Sequence, residues 1–309
     1  MQVQNLFIFF SIFWKIIDFQ SYEQQVPGID HPITMIPIKG GSFQMGSNES
    51  ADTQPVHEVA VNDFWMATYE VNWDQYEAFV FGEIQKNLVD KEKLNDLGID
   101  GITGATTPYV EMSFGMGKDG YPAVNVTQYA ALMYCKWLSA STGIFYRLPT
   151  EAEWEFACKA GTMKDFDGIL GESAVFAGNN EGKYAKSGTK TPNKSGLFDM
   201  LGNVSEWTMD QYDPEFYKQS LKSNPWNKPS ELYPRTTRGG SWKDDADGCS
   251  CSSRNPSNPN WKLRDPQFPK SLYWHTNAPF VGFRIVRPRI QPSKEEISKY
   301  WLDPIEDFN

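Results

Sequence analysis

Two closely spaced cysteines are candidates for metal or redox chemistry in this 309-residue sequence. They occur in the segment RGGSWKDDADGCSCSSR as Cys249 and Cys251. Residues i and i+2 of a strand share a face, so the two thiols could be presented together. Thiolates are the soft ligands that Cu(I) prefers, and the pair is therefore a candidate copper site. The sequence contains four cysteines, and their spacing alone does not choose among the possible pairings.

A second candidate site lies in the segment GLFDMLGNVSEW, where Asp199 and Glu206 flank a Gly-Asn turn. Calcium is bound by several oxygen atoms, and a turn between two carboxylates can add backbone carbonyls to the ligand set. Glu206 has the apolar neighbours Val204 and Trp207, where an unpaired carboxylate would be costly. We therefore expect calcium here. The alternative is that both carboxylates cap turns or pair with arginine in the interior.

The charge balance and the histidines exclude several classes of protein. Lys and Arg number 29 against 39 Asp and Glu, which gives a net charge of −10, and no basic block is present. Nucleic-acid binding depends on clustered cations, so we expect no nucleic-acid partner. The three histidines, His31, His57 and His275, are too far apart for a helical zinc motif.

Capping signals predict three short helices that carry aromatic faces. A capping residue followed three positions later by Gln or Glu, or by an apolar stripe, is typical of a helix start. The predicted helices run from Asn72 through Val80, from Thr127 to the Ser-Thr-Gly at 141–143, and from Thr150 to a stop at Gly161. Beyond Gly161, short runs separated by Gly, Pro, Asn and Ser predict loops and brief strands.

The two ends of the chain differ in composition from its middle. Leu6–Trp14 is an apolar run of signal-peptide length, so residues 1–21 are predicted to be a signal peptide, without a lipoprotein cysteine or a membrane-spanning helix. A buried strand is the alternative for this run. The acidic segment 289–309 is predicted to be a docked or loose tail. No linker is visible between residues 33 and 288, which we interpret as one domain.

Six segments occur in the order found in the formylglycine-generating enzymes, also called sulfatase-modifying factors, and the sequence resembles that family. They are IPIKGGSFQMGS (36–47), PVHEVAVNDFWMATYEVNWDQYEAFV (55–80), YRLPTEAEWEFACKAG (146–161), NKSGLFDMLGNVSEW (193–207), RGGSW (238–242) and FVGFRIVRP (280–288). The resemblance implies a single compact α+β domain, poor in regular secondary structure and akin to C-type lectin folds. It also implies export from the cytoplasm.

The resemblance implies a copper-dependent oxidase that converts a cysteine in a C-x-P-x-R segment of a sulfatase into formylglycine. Such enzymes use two cysteines spaced C-x-x-x-x-C just after a G-G-S segment. Counting from Ser241, these positions are Asp244 and Cys249, so Ser241 and Cys249 are the candidate catalytic residues. A carboxylate is a poor ligand for Cu(I), which puts copper in doubt. Ser205 and Phe280 also depart from the residues that the family has in its active site.

The resemblance also implies a disulfide and a set of calcium ligands. The family bridge that follows the E-A-E-W-E helix corresponds to Cys158 and Cys251. A second family bridge would join Cys135 to position 285, which is Ile285 here, so Cys135 is expected to be a buried free thiol. The implied calcium ligands are the side chains of Asp199 and Glu206 with the carbonyls of Gly202 and Val204.

These observations predict an exported binding or envelope-assembly module with a protein or peptide ligand, and a sulfatase is one candidate for that ligand. The alternative is a divergent formylglycine-generating oxidoreductase that uses Cys249, with or without Cys251. A proline-rich insertion, residues 258–280, is expected to form an ordered loop over the former active-site groove. The scattered histidines argue against the iron-dependent sulfoxide synthases that share this fold.

Overall fold

Short strands and helices joined by long loops make up the computed structural model, which describes residues 19–160 and 169–308. In these residues the strands are β1 (Tyr22–Gln24), β2 (Ile33–Ile38), β3 (Gly41–Met45), β4 (His57–Val61), β5 (Phe64–Ala67), β6 (Ala174–Val175), β7 (Leu201–Gly202), β8 (Ser205–Gln211), β9 (Arg235–Arg238), β10 (Arg254–Pro256), β11 (Val281–Gly282) and β12 (Val286–Pro288). The helices are α1 (Trp73–Phe81), α2 (Lys91–Asp96), α3 (Gln128–Thr142), α4 (Glu151–Lys159), α5 (Leu170–Ser173) and α6 (Lys294–Ile297). The predicted α+β class with little regular secondary structure is confirmed.

Two four-stranded sheets organise the domain. The first has the antiparallel order β1-β2-β5-β12, so strands from the start and the end of the domain form the two edges of one sheet. The second has the order β10-β9-β8-β11, in which β11 runs parallel to β8. Strands β3 and β4 form a separate hairpin, and β6 pairs with β7. The second sheet gathers the sequence segments that carry both candidate sites.

The predicted helix starts are confirmed by their caps. The side chain of Asn72 accepts a hydrogen bond from the Gln75 N–H, and the Gln75 side chain accepts one from the Asn72 N–H. Thr127 caps α3 by accepting from the Ala130 N–H, and Thr150 forms a second reciprocal capping box on α4. Each cap satisfies backbone donors that the first helical turn leaves without partners.

The helix ends also follow the sequence closely. α3 ends at Thr142, and the next residue, Gly143, caps it with a left-handed φ of 71° that suits a residue without a side chain. α4 ends at Lys159, and Ala160 takes the left-handed conformation with a φ of 48°. The predicted stop at Gly161 lies outside the described residues.

The interior consists of two groups of buried side chains. In the first, Tyr76 of α1 packs against Tyr134 of α3 and against Phe283, which confirms the aromatic faces predicted for these helices. The second lies under α4, where Trp154 and Cys158 are buried with the β3–β4 hairpin. Aromatic rings bury a large area per residue, so brief elements suffice for a core.

The carboxyl-terminal segment packs on the domain. Ile297 is fully buried, and Trp301 contacts Phe145 edge to face. The Lys270 N–H donates to the Asp307 carbonyl, which ties the tail to the insertion. The apolar run Leu6–Trp14 lies outside the described residues. Within them, no helix has the length and apolar character needed to cross a bilayer.

Candidate functional site

Two glycines after β9 let the chain turn tightly in front of the cysteine segment. Gly239 and Gly240 have φ values of 91° and 71°, the left-handed region that favours glycine. A Cβ on Gly240 would lie 2.5 Å from the Gly248 carbonyl oxygen and 3.0 Å from the Cys249 sulfur. The G-G-S segment therefore brings the Cys249 segment against the end of β9.

The turn brings together Ser241, Asp244 and Cys249, the residues at the positions where the resemblance implies the catalytic site. The Ser241 hydroxyl donates to Asp244 Oδ2 at 2.6 Å, and the Cys249 thiol lies 3.8 Å from the Ser241 carbonyl oxygen. Asp244 also accepts a backbone hydrogen bond at its carbonyl from the Ala177 N–H. One carboxylate and one thiol thus stand at the two positions where the resemblance implies cysteines.

The electrostatic surroundings keep the Cys249 thiol protonated. Its side chain is buried, and burial together with the negative charges of Asp244 and Asp245 raises the pKa of Cys249 to about 12. The thiolate is the nucleophile and the metal ligand, so a thiol of this pKa is inert at neutral pH.

The implied disulfide is confirmed, with Cys158 of α4 bonded to Cys251 at a Cα–Cα distance of 5.6 Å. Cys251 is therefore not available as a second thiolate beside Cys249. Cys135 and Cys249 are both buried free thiols. Burial also raises the pKa of Cys135, which fits its expected role as a packed side chain.

Ser205 and Phe280, the other two residues that depart from the family's active site, are neighbours where β8 and β11 begin. The Ser205 N–H donates to the Phe280 carbonyl at 2.8 Å. The Phe280 ring packs edge to face on Trp261, and the Lys243 ammonium lies 4.7 Å from the centre of that ring. The Phe280 position is thus occupied by a ring that packs on Trp261 and makes a cation–π contact with Lys243.

A wide groove of about 1120 Å³ opens beside Cys249. Its walls come from the loop after β3, the loop after β8 and the cysteine segment, and four carboxylates line it: Glu49, Asp52, Glu215 and Asp247. Arg254 also lines the groove, but its guanidinium is paired with Glu151. The groove is therefore acidic. The insertion 258–280 is not among the lining residues of this groove, and its residues Trp261 and Phe280 pack beside Ser205 instead. The expectation that the insertion lies over the former active-site groove stays a prediction.

The expected calcium turn has a strained backbone and one unpaired oxygen. Asp199, Gly202 and Asn203 all have positive φ, at 56°, 72° and 52°. Asp199 Oδ2 accepts from the Gly188 N–H at 2.6 Å, whereas Oδ1 is buried and accepts from no N–H or hydroxyl donor among the described residues. The Glu70 carboxyl group lies within hydrogen-bonding reach of the Asp199 carboxyl group. Burial raises the pKa of Asp199 to about 6 against the opposing effects of Gly188 and Arg284.

Glu206 pairs with arginine in the interior, as the alternative prediction described. Arg284 donates to both oxygens of Glu206 at 2.6 Å, and the Trp154 indole donates to Oε2 at 2.8 Å. All three side chains are buried. This group joins β8, α4 and the segment after β11.

Glu70 is a buried carboxyl that the sequence reasoning missed. It accepts from Asn203 Nδ2 at 2.9 Å and from the Ser187 hydroxyl at 2.9 Å. Burial and the charge of Asp199 raise the pKa of Glu70 well above its ordinary value. The available signal in the sequence for a buried carboxyl group was the position of Glu70 as a single acidic residue directly after the apolar run FWMATY. Glu70, Asp199 and Glu206 together outnumber the one guanidinium of Arg284.

The profile of the sulfatase-modifying factor enzyme 1-like domain matches residues 24–289, most of the chain. The protein belongs to the sulfatase-modifying factor family. The match begins in β1 and ends just after β12, and these are the two outer strands of the first sheet. The family domain therefore coincides with the fold described above.

Relatives within the sulfatase-modifying factor family differ in their described activities. The serine/threonine-protein kinase Pkn1 of Chlamydia trachomatis is 32% identical over 237 residues, 73% of this chain and 36% of that protein. The chain thus spans about a third of the length of that relative. The formylglycine-generating enzyme of Mus musculus is 26% identical over 295 residues, 78% of this chain and 77% of the enzyme. The inactive C-alpha-formylglycine-generating enzyme 2 of Bos taurus is 28% identical over 268 residues, 72% and 80% of the two chains.

A solved structure supports the fold of this sulfatase-modifying factor protein. PvdO from Pseudomonas aeruginosa superimposes with a TM-score of 0.64 and 21% sequence identity, covering 87% of this chain and 98% of PvdO. At this identity the likeness extends to the fold alone.

Proposed function

We propose that this protein is an exported peptide-binding module of the sulfatase-modifying factor family in which the cysteine site no longer supports copper oxidase chemistry. The observation that carries the proposal is the donor set at the G-G-S turn. Asp244 accepts a hydrogen bond from Ser241, Cys249 is a buried protonated thiol, and Cys251 is held in a disulfide. A hard carboxylate and one neutral thiol do not fit Cu(I). No oxidation step through copper follows from this donor set.

Two observations support export. Disulfides persist in oxidising compartments, and the Cys158–Cys251 bridge belongs to that class of bond. The apolar run Leu6–Trp14 has the length of a signal-peptide core.

The ligand class follows from the charge of the groove beside Cys249. Four carboxylates line it, of which Glu215 pairs with Lys218, and the one guanidinium in its lining is already neutralised by Glu151. Glu49, Asp52 and Asp247 therefore keep the lining negative. A cavity lined by one sign of charge concentrates ligands of the opposite sign. We therefore propose a peptide or protein segment with basic side chains as the ligand, and a C-x-P-x-R segment of a sulfatase carries one such side chain.

A synthetic C-x-P-x-R peptide tests this proposal by calorimetry and oxygen uptake in the presence of copper. We expect the peptide to bind without oxygen consumption, and a peptide in which Arg is replaced by Glu to bind at least threefold more weakly. Oxygen uptake coupled to aldehyde formation would establish the divergent oxidase instead. Equal binding of the two peptides would remove the acidic groove as the recognition surface.

Asp244→Cys should restore a copper ligand set, because it returns a second thiol to the position beside Cys249. We expect the variant to bind one Cu(I) at least a hundredfold more tightly than the native protein in a competition titration with a chromogenic chelator. Asp245→Cys is the matched control, since it adds the same thiol at the next, exposed position. Equal affinity of both variants, or tight Cu(I) binding by the native protein, would contradict the proposal.

We also propose that the Asp199 turn binds calcium. Asp199 Oδ1 is buried and, in residues 19–160 and 169–308, accepts from no N–H or hydroxyl donor. The carboxyl groups of Asp199, Glu70 and Glu206 act on the one guanidinium of Arg284, and this excess of negative charge fits a divalent cation. The side chain of Asp199 and the carbonyls of Gly202 and Val204 would hold the ion. Both oxygens of Glu206 accept hydrogen bonds from Arg284, and Oε2 also accepts one from Trp154, so Glu206, which the resemblance implied as a ligand, is left out of this set. Among residues 19–160 and 169–308, no three acidic, thiol or imidazole groups form a metal cluster, so the carbonyls are essential to this ligand set.

Calcium should raise the melting temperature of the native protein relative to the same sample in chelator, because an ion that binds the folded state alone stabilises it. Asp199→Asn should remove most of that rise, and the exposed Asp100→Asn should keep it. A melting temperature that does not respond to calcium in the native protein would exclude the site.

A further inference from the structure

Most buried cations of this protein have a carboxylate partner, and two do not. The paired cations are Arg147 with Glu153, Arg238 with Glu155, Arg254 with Glu151 and Arg284 with Glu206. Arg235 and Lys262 are also buried, at 8% and 2% exposure. Within the described part of the chain, neither has a carboxylate oxygen within 4.0 Å. A buried charge without a counter-charge is costly, so the exceptions require an explanation.

The contacts of Arg235 and Lys262 do not neutralise their charge. Arg235 donates Nε–H to the Glu231 carbonyl and Nη1–H to the amide oxygen of Gln128. Both acceptors are uncharged. Asp307 and Asp265 influence Lys262 only from beyond ion-pair distance, and burial lowers the pKa of Lys262 to about 8. The Glu231 charge also acts on Arg235, but among the described residues neither cation has a carboxylate within ion-pair distance.

Both cations line the same small cavity of about 40 Å³, which also contacts Thr127, Ser257 and His275. The His275 ring is buried, and its Nδ1 has no hydrogen-bond partner in residues 19–160 and 169–308. The carboxyl-terminal tail closes the cavity, with the exposed Asp303 at its rim. The cavity thus has two buried cations and several groups that can donate hydrogen bonds.

We propose that this cavity, between β9, the insertion and the tail, is a binding site for a small monovalent anion of the halide or formate type. A water molecule needs about 10–15 Å³ of such volume, so the cavity accepts one small anion and excludes phosphate esters and sugars. The anion pairs with the Lys262 ammonium and the Arg235 guanidinium together. It replaces the carboxylate partner that the other four buried cations have. Its binding also ties the tail to the domain, because the tail forms part of the wall.

A bromide soak of crystals of the native protein locates the anion directly. We expect an anomalous difference peak inside the cavity, between Lys262 and Arg235. Soaks with formate and with chloride distinguish the two chemical sources by the shape of their density. A cavity that holds only water after bromide and formate soaks overturns the proposal.

Thermal unfolding gives a second readout in solution. Sodium chloride should raise the melting temperature of the native protein in a saturable way beyond sodium gluconate at equal ionic strength, because gluconate is too large for the cavity. Lys262→Met should lose this difference, and Lys183→Met, which removes an exposed lysine, should retain it. Equal responses to chloride and gluconate in the native protein contradict the proposal, whether or not Lys262→Met folds.

Discussion

Glu155→Gln should lower the free energy of unfolding at pH 7 by about 3–5 kcal/mol, because it leaves buried cations without their carboxylate. Glu155 of α4 is fully buried and accepts hydrogen bonds from Arg238, from Lys159 at 2.7 Å and from the Gly46 N–H at 2.7 Å. Gln has the same shape but can accept at one oxygen only, so its amino group would face either Arg238 or the Lys159 ammonium and the Gly46 N–H. Urea unfolding followed by tryptophan fluorescence measures the change.

The same carboxylate gives a signed prediction for acid stability. Burial alone would raise the pKa of Glu155, but Arg238 and Lys159 outweigh burial and hold its pKa below the ordinary value of 4.5. The unfolded chain therefore binds this proton more readily than the folded protein does. The stabilisation is present above pH 4.5 and is lost as the pH falls through the folded pKa. Glu155→Gln should lack this part of the acid-induced loss.

Two variants separate the buried pair from other effects of substitution. Glu155→Met combined with Arg238→Met removes both charges, so the double variant should be more stable than Glu155→Gln alone. Glu215→Gln, which breaks an exposed ion pair with Lys218, should change stability by less than about 1 kcal/mol. If Glu155→Gln resembles Glu215→Gln, the buried pair does not hold α4 against β9.

The sequence predicted the features that depend on neighbouring residues. The caps at Asn72 and Thr150 were readable because a capping box needs residues three positions apart. The resemblance assigned Asp244 and Cys249 to the two cysteine positions of the family, and the structure places both against Ser241. The resemblance to a family supplied the Cys158–Cys251 bridge, which local patterns could not choose.

Features that depend on distant segments were not predictable from the sequence. The acidic groove combines the loop around Asp52 with Glu215 and Asp247, which lie more than a hundred residues further along the chain. The carboxyl group of Glu70 reaches the Asp199 turn only because β5 leads into it. Trp261, Trp274 and His275 of the insertion are buried in the domain. Apolar burial therefore determines the path of the insertion.

The properties of the cysteine site follow in part from the sequence and in part from the structure. Asp244 in place of a thiol is visible in the sequence, and it already makes the site a poor one for Cu(I). The structure adds that Cys249 is shielded and that Cys251 is bonded elsewhere. Replacing Asp244 alone would leave burial, the main cause, and the charge of Asp245 to keep the pKa of the Cys249 thiol raised. The Cu(I) affinity of Asp244→Cys therefore also measures how far a new thiolate partner can overcome that burial.

Removing the Cys158–Cys251 disulfide should have the largest effect on stability. The bridge closes a loop across a sequence separation of 93 residues, and it links the end of α4 to the segment just before β10. A cross-link restricts the unfolded chain, and for a loop of this length the chain-entropy relation gives about 4–5 kcal/mol. Cys158→Ala combined with Cys251→Ala should lose that amount in urea unfolding.

Cys135→Ala is the matched control for the bridge, because it also removes a buried sulfur but breaks no cross-link. Its loss should be about 1–2 kcal/mol, the cost of a small cavity. Treatment of the native protein with reductant should reproduce the loss of the double alanine variant, and should leave that variant unchanged. A double variant that is no less stable than Cys135→Ala would mean that packing around α4, rather than the bridge, holds the cysteine segment in place.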